Sequence, residues 1–326
     1  MTIKRICFCF AVIVLLQSTV VTAQSQNVKV RSAETILKDG PYSFPEKVAV
    51  DGTGTLYVLD SQLSNVFVVR RTRKGREAKA LCSPRTPINA SDLTVDSSSG
   101  VWILSTDGLQ VVKLDQGCKV AKSFKVRRPA LSMAVNSAAE IVVLTSTGQD
   151  LFDAYDQDGN LLRSFGRRIS YGDPITEGEL NNGRLVADRN GGFYFSFNYP
   201  PLVQHYGRDG KLLGEFKPPS EVQIGPPTVS SHKQGNLLAV RANYQILVLD
   251  FTLDARGRLV FLMSGKPKFE AIGQGSQTLV ITSNSGKPVE KVSVEDAAFH
   301  RLTAGRTGLY LLRNRDGLRL DRYQLP

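Results

Sequence analysis

The sequence predicts an all-β fold, a β-propeller of six to seven four-stranded blades, with seven favoured over six. The first observation is a strand–turn–strand pattern at Val48–Asp60 that recurs along the chain. The second is a set of hairpins with Asp-Gly turns that follow copies of this pattern. The third is that no helical periodicity separates them.

The repeated pattern has the composition of two short strands joined by a turn. Val, Leu, Tyr and Thr favour pleated, half-buried surfaces, and Asp51-Gly52 has turn chemistry. A polar residue ends the first strand in successive copies: Asp51, Asp96, Asn136, Asp188 and Ser231. These residues allow two interpretations, a ring of functional carboxylates or side chains that form turns by bonding to the backbone. We favour the turn interpretation.

Third and fourth strands follow most copies of the pattern. The clearest are the hairpins Phe152–Phe165 and Val203–Phe216, each with an Asp-Gly turn. Four short strands about every 40–45 residues are typical of propeller blades, because a ring of blades buries faces that a single sheet leaves exposed. The interval before the last copy is only about 30 residues, so one blade is truncated or has been counted twice.

The two ends of the chain are predicted to close the ring together. The last cycle supplies only three strands before Pro326. The β-rich segment Asn27–Leu37 precedes the first cycle and is expected to supply the missing fourth strand. Such pairing protects the edges of the first and last blades.

The N-terminal segment is predicted to be a signal peptide over residues 1–23, followed by a single propeller domain over 24–326. Lys4 and Arg5 precede an apolar run, and Val21-Thr22-Ala23 supplies small residues for cleavage. The alternative is an uncleaved anchor. We expect an exported protein, periplasmic or secreted, that does not span the membrane after cleavage.

Export makes the remaining cysteines a natural pair. Cys82 and Cys118 lie outside the signal peptide, so a disulfide bond between them is one expectation. Two free buried thiols are the alternative.

The net charge of +11 bears on the partner. Export makes nucleic acid an unfavourable prediction, and we expect a protein or glycan partner, or an anionic surface. A well-solvated basic surface without a specific partner is the alternative.

The first copy of the pattern resembles the blade of NHL-repeat propellers. The similarity rests on Val48–Asp60 together with the Val-rich third strand Val66–Val69. It implies architecture and not one function, since propellers of this kind are similar to protein-binding scaffolds, RNA-binding modules, lyases and calcium-dependent lactonases.

One face of the propeller is expected to bind ligands, because the connections between blades and between second and third strands gather there. The longest of these connections is Gly166–Asn182. An ordinary polar surface is the alternative. The candidate binding residues on this face are Asp60, Arg167, Arg168, Tyr171, Asp173, Tyr199, Arg241 and Tyr244.

The sequence favours a non-enzymatic recognition scaffold without a cofactor. No HxH, HExxH or CxxC spacing occurs. The alternative is a metal-assisted lyase or hydrolase with a divalent metal over the central channel. Only His300 could serve it, with Glu295 or Glu270.

Overall fold

The computed structural model describes most of the chain. The described residues are 34–38, 43–72, 75–81, 89–115, 117–172, 174–220, 224–234, 237–243, 245–264, 277–294, 299–313 and 319–324. The predicted signal peptide lies outside them. No helix in the described part is long and apolar enough to cross a membrane.

The described strands form six four-stranded antiparallel sheets and one two-stranded sheet. The first strand along the chain is β1 (Glu34–Lys38). Blade 1 contains β2 (Pro45–Val50), β3 (Leu56–Asp60), β4 (Asn65–Thr72) and β5 (Gly75–Ala80). Blade 2 contains β6 (Ala90–Val95), β7 (Val101–Ser105), β8 (Gln110–Leu114) and β9 (Val120–Lys125). Blade 3 contains β10 (Ala130–Val135), β11 (Ile141–Thr145), β12 (Asp150–Tyr155) and β13 (Leu161–Arg167).

A short helix, α1 (Pro174–Leu180), precedes blade 4. Blade 4 contains β14 (Gly183–Ala187), β15 (Phe193–Phe197), β16 (Val203–Tyr206) and β17 (Leu212–Phe216). The separate hairpin is β18 (Thr228–Gln234) and β19 (Leu237–Asn243). Blade 5 contains β20 (Val248–Leu253), β21 (Leu259–Ser264), β22 (Gln277–Thr282) and β23 (Pro288–Val294). Blade 6 contains β24 (Phe299–Gly305), β25 (Gly308–Arg313) and β26 (Arg319–Tyr323).

The N-terminal strand closes the ring as the sequence predicted. β1 pairs antiparallel with β26, with Glu34 opposite Arg322, and is the outermost strand of blade 6. The first strands β2, β6, β10, β14, β20 and β24 then contact one another in that cyclic order. The molecule is therefore a six-bladed β-propeller whose first and last blades are joined by β1.

The expectation of seven blades is wrong, and one hairpin explains the error. The segment 228–243 has the pattern of a first and second strand, but it pairs only with itself as β18–β19. Ser231 lies within β18 rather than in a blade turn. The first strand of blade 5 is instead β20, which pairs with β21.

Six apolar clusters occupy the six contacts between neighbouring blades. Between blades 1 and 2, for example, Tyr57 and Val68 pack with Leu93 and Ile103. The other five clusters follow the same rule around the ring. Second strands such as β3 and β11 are buried throughout, whereas the outermost strands β9 and β17 are largely exposed. Burial between blades is the main stabilising term of this fold.

The Asp-Gly hairpin turns form where the sequence predicted them. Gly159 and Gly210 adopt φ values of +87° and +82°, a region that favours glycine. A Cβ at Gly159 would lie 2.4 Å from Phe124 Cβ and 2.5 Å from the Phe124 ring, so the close approach of blade 2 also requires glycine there.

Candidate functional site

The first strands of all six blades surround a central cavity of about 290 Å³. Each first strand contributes one polar or charged residue near the point where the chain enters the blade. We call these six residues the polar ring: Lys47, Asp92, Ser132, Arg184, Asp250 and Arg301. All six line the cavity. In blades 1–5 the residue four positions after the ring residue directly follows the first strand, and in blade 6 it is the last residue of that strand.

A recurring irregularity accompanies these side chains. In β2, β6, β10, β20 and β24 the pairing with the second strand shifts register at the residue immediately before the ring position. Such a bulge bends the strand locally and redirects a side chain. Side chains of a blade otherwise point to the sheet faces, which pack on neighbouring blades. The bulges thus explain how polar residues reach the cavity from strands that are otherwise apolar.

One half of the ring is centred on Asp92. Its Oδ1 lies 3.0 Å from Lys47 Nζ of blade 1. Its Oδ2 accepts hydrogen bonds from Ser132 Oγ at 2.7 Å and from the Met133 backbone N–H at 2.9 Å, both in blade 3. Burial opposes ionisation of Asp92, but Lys47 and these hydrogen bonds outweigh it and lower the pKa of the carboxyl. Asp92 is therefore an ionised link between three blades.

The other half contains both arginines. Arg184 Nε lies 3.6 Å from Asp250 Oδ1, and Asp250 Oδ2 accepts the Leu302 N–H at 2.8 Å. Arg301 Nε donates to the Glu46 carbonyl at 2.7 Å, and Arg301 Nη1 donates to the His300 carbonyl at 2.9 Å. These bonds fix the guanidinium of Arg301 without pairing it to a carboxylate of the described residues.

The ring carries more positive than negative charge. Burial, followed by the nearby Arg184 guanidinium, lowers the pKa of Lys47 to about 8. The same two causes lower the pKa of Arg301 to about 10. Three cations thus converge on one buried cavity that holds two carboxylates, and each cation raises the cost of charging the others.

His300 lies at the bulge of β24, next to the ring. Its Nε2 donates to the Pro45 carbonyl at 3.2 Å, and its Nδ1 is buried without a hydrogen-bond partner. Burial, with Arg301 as the next cause, lowers the pKa of His300 to about 3, so the imidazole is neutral above that pH. Glu270 and Glu295 lie outside the described residues. Within the described part, no group of three or more His, Cys, Asp or Glu side chains could hold a metal ion.

The candidate residues near the start of the chain and in the long connection have different environments. Asp60 is fully buried, and its carboxylate accepts the backbone N–H groups of Ser43 and Phe44 at 2.6 and 2.9 Å. Arg167 is exposed. Arg168 is buried and donates through Nη2 to the Thr145 carbonyl. Asp60 and Arg168 therefore anchor loops, and Arg167 faces solvent.

Two candidate tyrosines lie close to each other on the same face. Tyr171 is half-buried, and burial together with the neighbouring Tyr199 raises its pKa to about 12. Tyr199 is half-buried and precedes Pro200 in a cis peptide bond. Asp173 and Tyr244 lie outside the described residues, as does the side chain of Arg241.

Cys118 is disulfide-bonded in the structure. It lies in the turn between β8 and β9 with a φ of +63°. Cys82, the partner expected from the sequence, lies outside the described residues, so the pairing itself stays a prediction.

The repeated turn residues lie at the opposite end of the first strands from the ring. Each side chain accepts two backbone N–H groups, two and four residues further along the chain, at 2.7–3.0 Å. These residues are Asp51, Asp96, Asn136, Asp188 and Asp254. This bonding is the turn-forming role that the sequence favoured.

No family model matches the chain, and no curated protein is similar to it in sequence. Solved structures are similar in fold. Virginiamycin B lyase from Staphylococcus aureus has a TM-score of 0.52 and 12% identity, with 86% of this chain and 80% of that one covered. A gluconolactonase from Xanthomonas campestris has a TM-score of 0.54 and 12% identity, covering 94% and 99%.

A third solved structure is similar to the same extent. The β-propeller domain of Cps50 (Swd1) from Myceliophteria thermophila has a TM-score of 0.52 and 10% identity, covering 90% of this chain and 100% of that domain. The propeller fold is shared. At these identities the comparisons establish the fold alone, and they include enzymes as well as a domain described only by its architecture.

Proposed function

We propose that the protein is an exported, non-enzymatic scaffold that recognises a protein or glycan at the face of the propeller that contains the polar ring. The observation that carries the proposal is an asymmetry between the two faces. Connections within blades at the far face are tight turns, such as Asp96–Gly100 and Asp156–Asn160, closed by backbone hydrogen bonds. The connections at the ring face include a helix and a hairpin.

The two insertions lie next to each other. α1 lies in the connection from blade 3 to blade 4, and β18–β19 lies in the connection from blade 4 to blade 5. α1 contacts β19. Neither element is needed to complete a blade. Both add regular secondary structure to the surface of one face. Surfaces of this kind are where propellers and other scaffolds place recognition residues.

The side chains near these insertions suit recognition. Arg167 is exposed at the end of β13, and the half-buried pair Tyr171 and Tyr199 lies in connections of the same face. Arg and Tyr are enriched among residues that dominate binding energy. The predictions of export and of no cofactor belong to this proposal.

Binding to a glycan array and to immobilised envelope proteins tests the proposal directly. The paired variant Arg167→Ala with Tyr199→Ala is expected to lose binding while keeping the melting temperature of the wild type. The matched control is Arg306→Ala, which removes an exposed arginine from the turn between β24 and β25 on the far face. Absence of any wild-type binding, or equal loss in both variants, would contradict the proposal.

The metal-assisted alternative has a separate test. It requires a metal bound near His300, whose Nε2 already bonds to the Pro45 carbonyl. Elemental analysis of the purified protein, and titration with divalent cations followed by calorimetry, would reveal such a site. Stoichiometric metal that is lost in His300→Ala would favour the enzyme over the scaffold.

A further inference from the structure

We propose that the polar ring is a binding site for the carboxylate of a small hydroxylated monoanion, seated between Arg184 and Arg301 in the central cavity. The inference names a ligand class for the ring face and so rests on the proposed function of that face. It is carried by the charges and the unused donors of the ring.

Both arginines of the polar ring have guanidinium N–H donors without a partner among the described residues. Arg301 uses Nε and Nη1 on backbone carbonyls, and its Nη2 has no hydrogen-bond partner among the described residues. Arg184 approaches Asp250 only through Nε at 3.6 Å, and its two Nη groups also lack described partners. Guanidinium groups with free N–H pairs bind planar carboxylates in bidentate geometry. The cavity therefore contains unsatisfied guanidinium donors, and the guanidinium of Arg301 is held in place by its two bonds to backbone carbonyls.

The charge of the ring sets the charge of the ligand. Lys47 is paired with Asp92 and Arg184 approaches Asp250, which leaves Arg301 as the ring cation without a carboxylate partner among the described residues. Arg301 is half-buried, and a partly desolvated cation without a counter-charge is unfavourable, so one negative charge in the cavity would stabilise it. A monoanion matches the single excess charge, whereas a dianion such as sulfate would leave the cavity negative.

The other groups in the cavity indicate hydroxyl groups on the ligand. Thr94, Thr252 and Thr303 line the same cavity. The threonine hydroxyl groups can donate hydrogen bonds to an alcohol or accept them from it, and the remaining lone pairs of the carboxylates can accept them. The cavity volume of about 290 Å³ lies at the lower end of the range for small-molecule sites. A small hydroxy acid, free or as a uronic-acid residue of a glycan, has this combination of groups.

The polar ring also links neighbouring blades, and different atoms serve this structural role and the proposed binding. Asp92, Asp250 and two nitrogen atoms of Arg301 are committed to bonds between or within blades. Those bonds explain the carboxylates and the position of Arg301. They do not use Arg301 Nη2 or the Nη groups of Arg184, which have no hydrogen-bond partner among the described residues.

A second cavity provides the internal control. It measures about 250 Å³ on the far face and is also rich in arginine, with Arg256, Arg258 and Arg306 in its lining. Arg258 is paired with Asp254 at 2.7 Å. If anions bind the protein only because it is basic, Arg306 should matter as much as Arg184 or Arg301.

The experiment is isothermal titration calorimetry, with thermal shift as a second readout, on the full chain. Lactate and its uncharged amide, lactamide, form the first probe pair, and glucuronate and glucose form the second, which reports whether a sugar acid is accepted. Inorganic sulfate is the dianion control. Lactate or glucuronate is expected to bind, and lactamide, glucose and sulfate are not.

The variants locate the site. Arg301→Gln is expected to weaken carboxylate binding about tenfold or more, since it removes a charge-assisted hydrogen bond. Arg184→Gln should do the same and is the safer variant for folding, because its Nη groups make no described bonds. Arg306→Gln should bind as the wild type does. Equal binding of lactate and lactamide, equal binding of sulfate, or loss of binding in Arg306→Gln would each overturn the proposal.

The two proposals fail separately. Carboxylate binding that persists when array and envelope binding are absent would uphold the ring and contradict the recognition surface. Array and envelope binding that persists in Arg184→Gln, without any carboxylate binding in the wild type, would uphold the surface and contradict the ring.

Discussion

The two ends of the first strands follow opposite rules. At the turn end, the same residue type recurs and each side chain bonds to its own backbone, as Asp96 does with Ser98 and Gly100. At the ring end, equivalent positions hold lysine, aspartate, serine and arginine, and the side chains bond to neighbouring blades. The repeated Asp or Asn marks what five of the six blades use to form the turn after their first strand; Gly305 holds this position in blade 6. At the ring positions the residue type varies from blade to blade, which indicates that each of these side chains has its own role in the assembled propeller.

The difference also appears in how charge is balanced. At the turn end of blade 2, Asp96 is satisfied by Lys113 Nζ at 2.8 Å, by Trp102 Nε1 at 2.9 Å and by backbone N–H groups. At the ring end, Arg301 has no carboxylate partner in the described part of the chain. A side chain whose hydrogen-bonding groups all have partners in the protein contributes to stability. A side chain with an unpaired donor can bond to a ligand.

The largest expected effect on stability comes from the turn end. Asp96→Ala would leave the indole N–H of Trp102, which is fully buried, without its acceptor and would unpair Lys113. We expect a loss of about 3 kcal/mol in the free energy of unfolding, measured by urea denaturation.

The control for this change is Asp156→Ala in blade 3. Asp156 accepts the same two kinds of backbone N–H bond, from Asp158 and Asn160, but its turn is exposed. Its loss of stability should be clearly smaller. Equal losses would show that the backbone turn, and not the buried partners of Asp96, determines the cost.

The disulfide bond of Cys118 is a covalent restraint on the face that contains the turn residues. Cys118→Ser is expected to lower the free energy of unfolding by about 2–4 kcal/mol. Peptide mapping without reduction should recover Cys82 and Cys118 in one linked peptide. Two free thiols in the denatured, unreduced protein would refute the predicted pairing.

Adjacent arginines at the ring face test whether that face contains both anchors and free surface. Arg168→Ala removes a buried guanidinium that donates to carbonyls near β11, and should cost about 2 kcal/mol of stability. Arg167→Ala removes an exposed side chain and should change stability by less than about 0.5 kcal/mol. Equal effects, read from chemical denaturation, would contradict the assignment of these two roles.

The smallest expected effect is a pH dependence of carboxylate binding. Lys47 faces Asp92, with Arg184, Arg301 and Asp250 around it, and its pKa is lowered to about 8. The lysine is cationic below this pH and neutral above it, so carboxylate affinity should fall a few-fold, roughly, between pH 7 and 9. Calorimetry of Lys47→Met across this range should show a flat profile; a wild-type slope retained in Lys47→Met would assign the titration elsewhere.

Much of the fold could be predicted from sequence because blades are repeats. The Asp-Gly turns, the turn residues and the closing strand β1 each carry a local signal that recurs or completes a pattern. The blade count was wrong because β18–β19 has the local signal of a blade start, and only its pairing shows that it is separate.

The polar ring could not be predicted in the same way. Lys47 and Arg184 lie at the edge of apolar strands, where a charged residue is commonly exposed, and nothing local indicates that six such positions converge. The signal that could have found them is their constant offset of four residues from the turn position. Residue type and loop position predict Asp60 and Arg168 as binding residues. They do not indicate that each side chain is buried by bonds to the backbone of a neighbouring segment.

The most direct test of the contrast between the two ends is a crossed measurement on Asp96→Ala and Arg184→Gln. Each variant is measured for its free energy of unfolding and for its lactate affinity at a temperature where it is folded. We expect Asp96→Ala to lose stability and keep its affinity, and Arg184→Gln to keep its stability and lose affinity. Loss of both properties in either variant, or unchanged affinity in Arg184→Gln, would contradict the division between a folding end and a binding end.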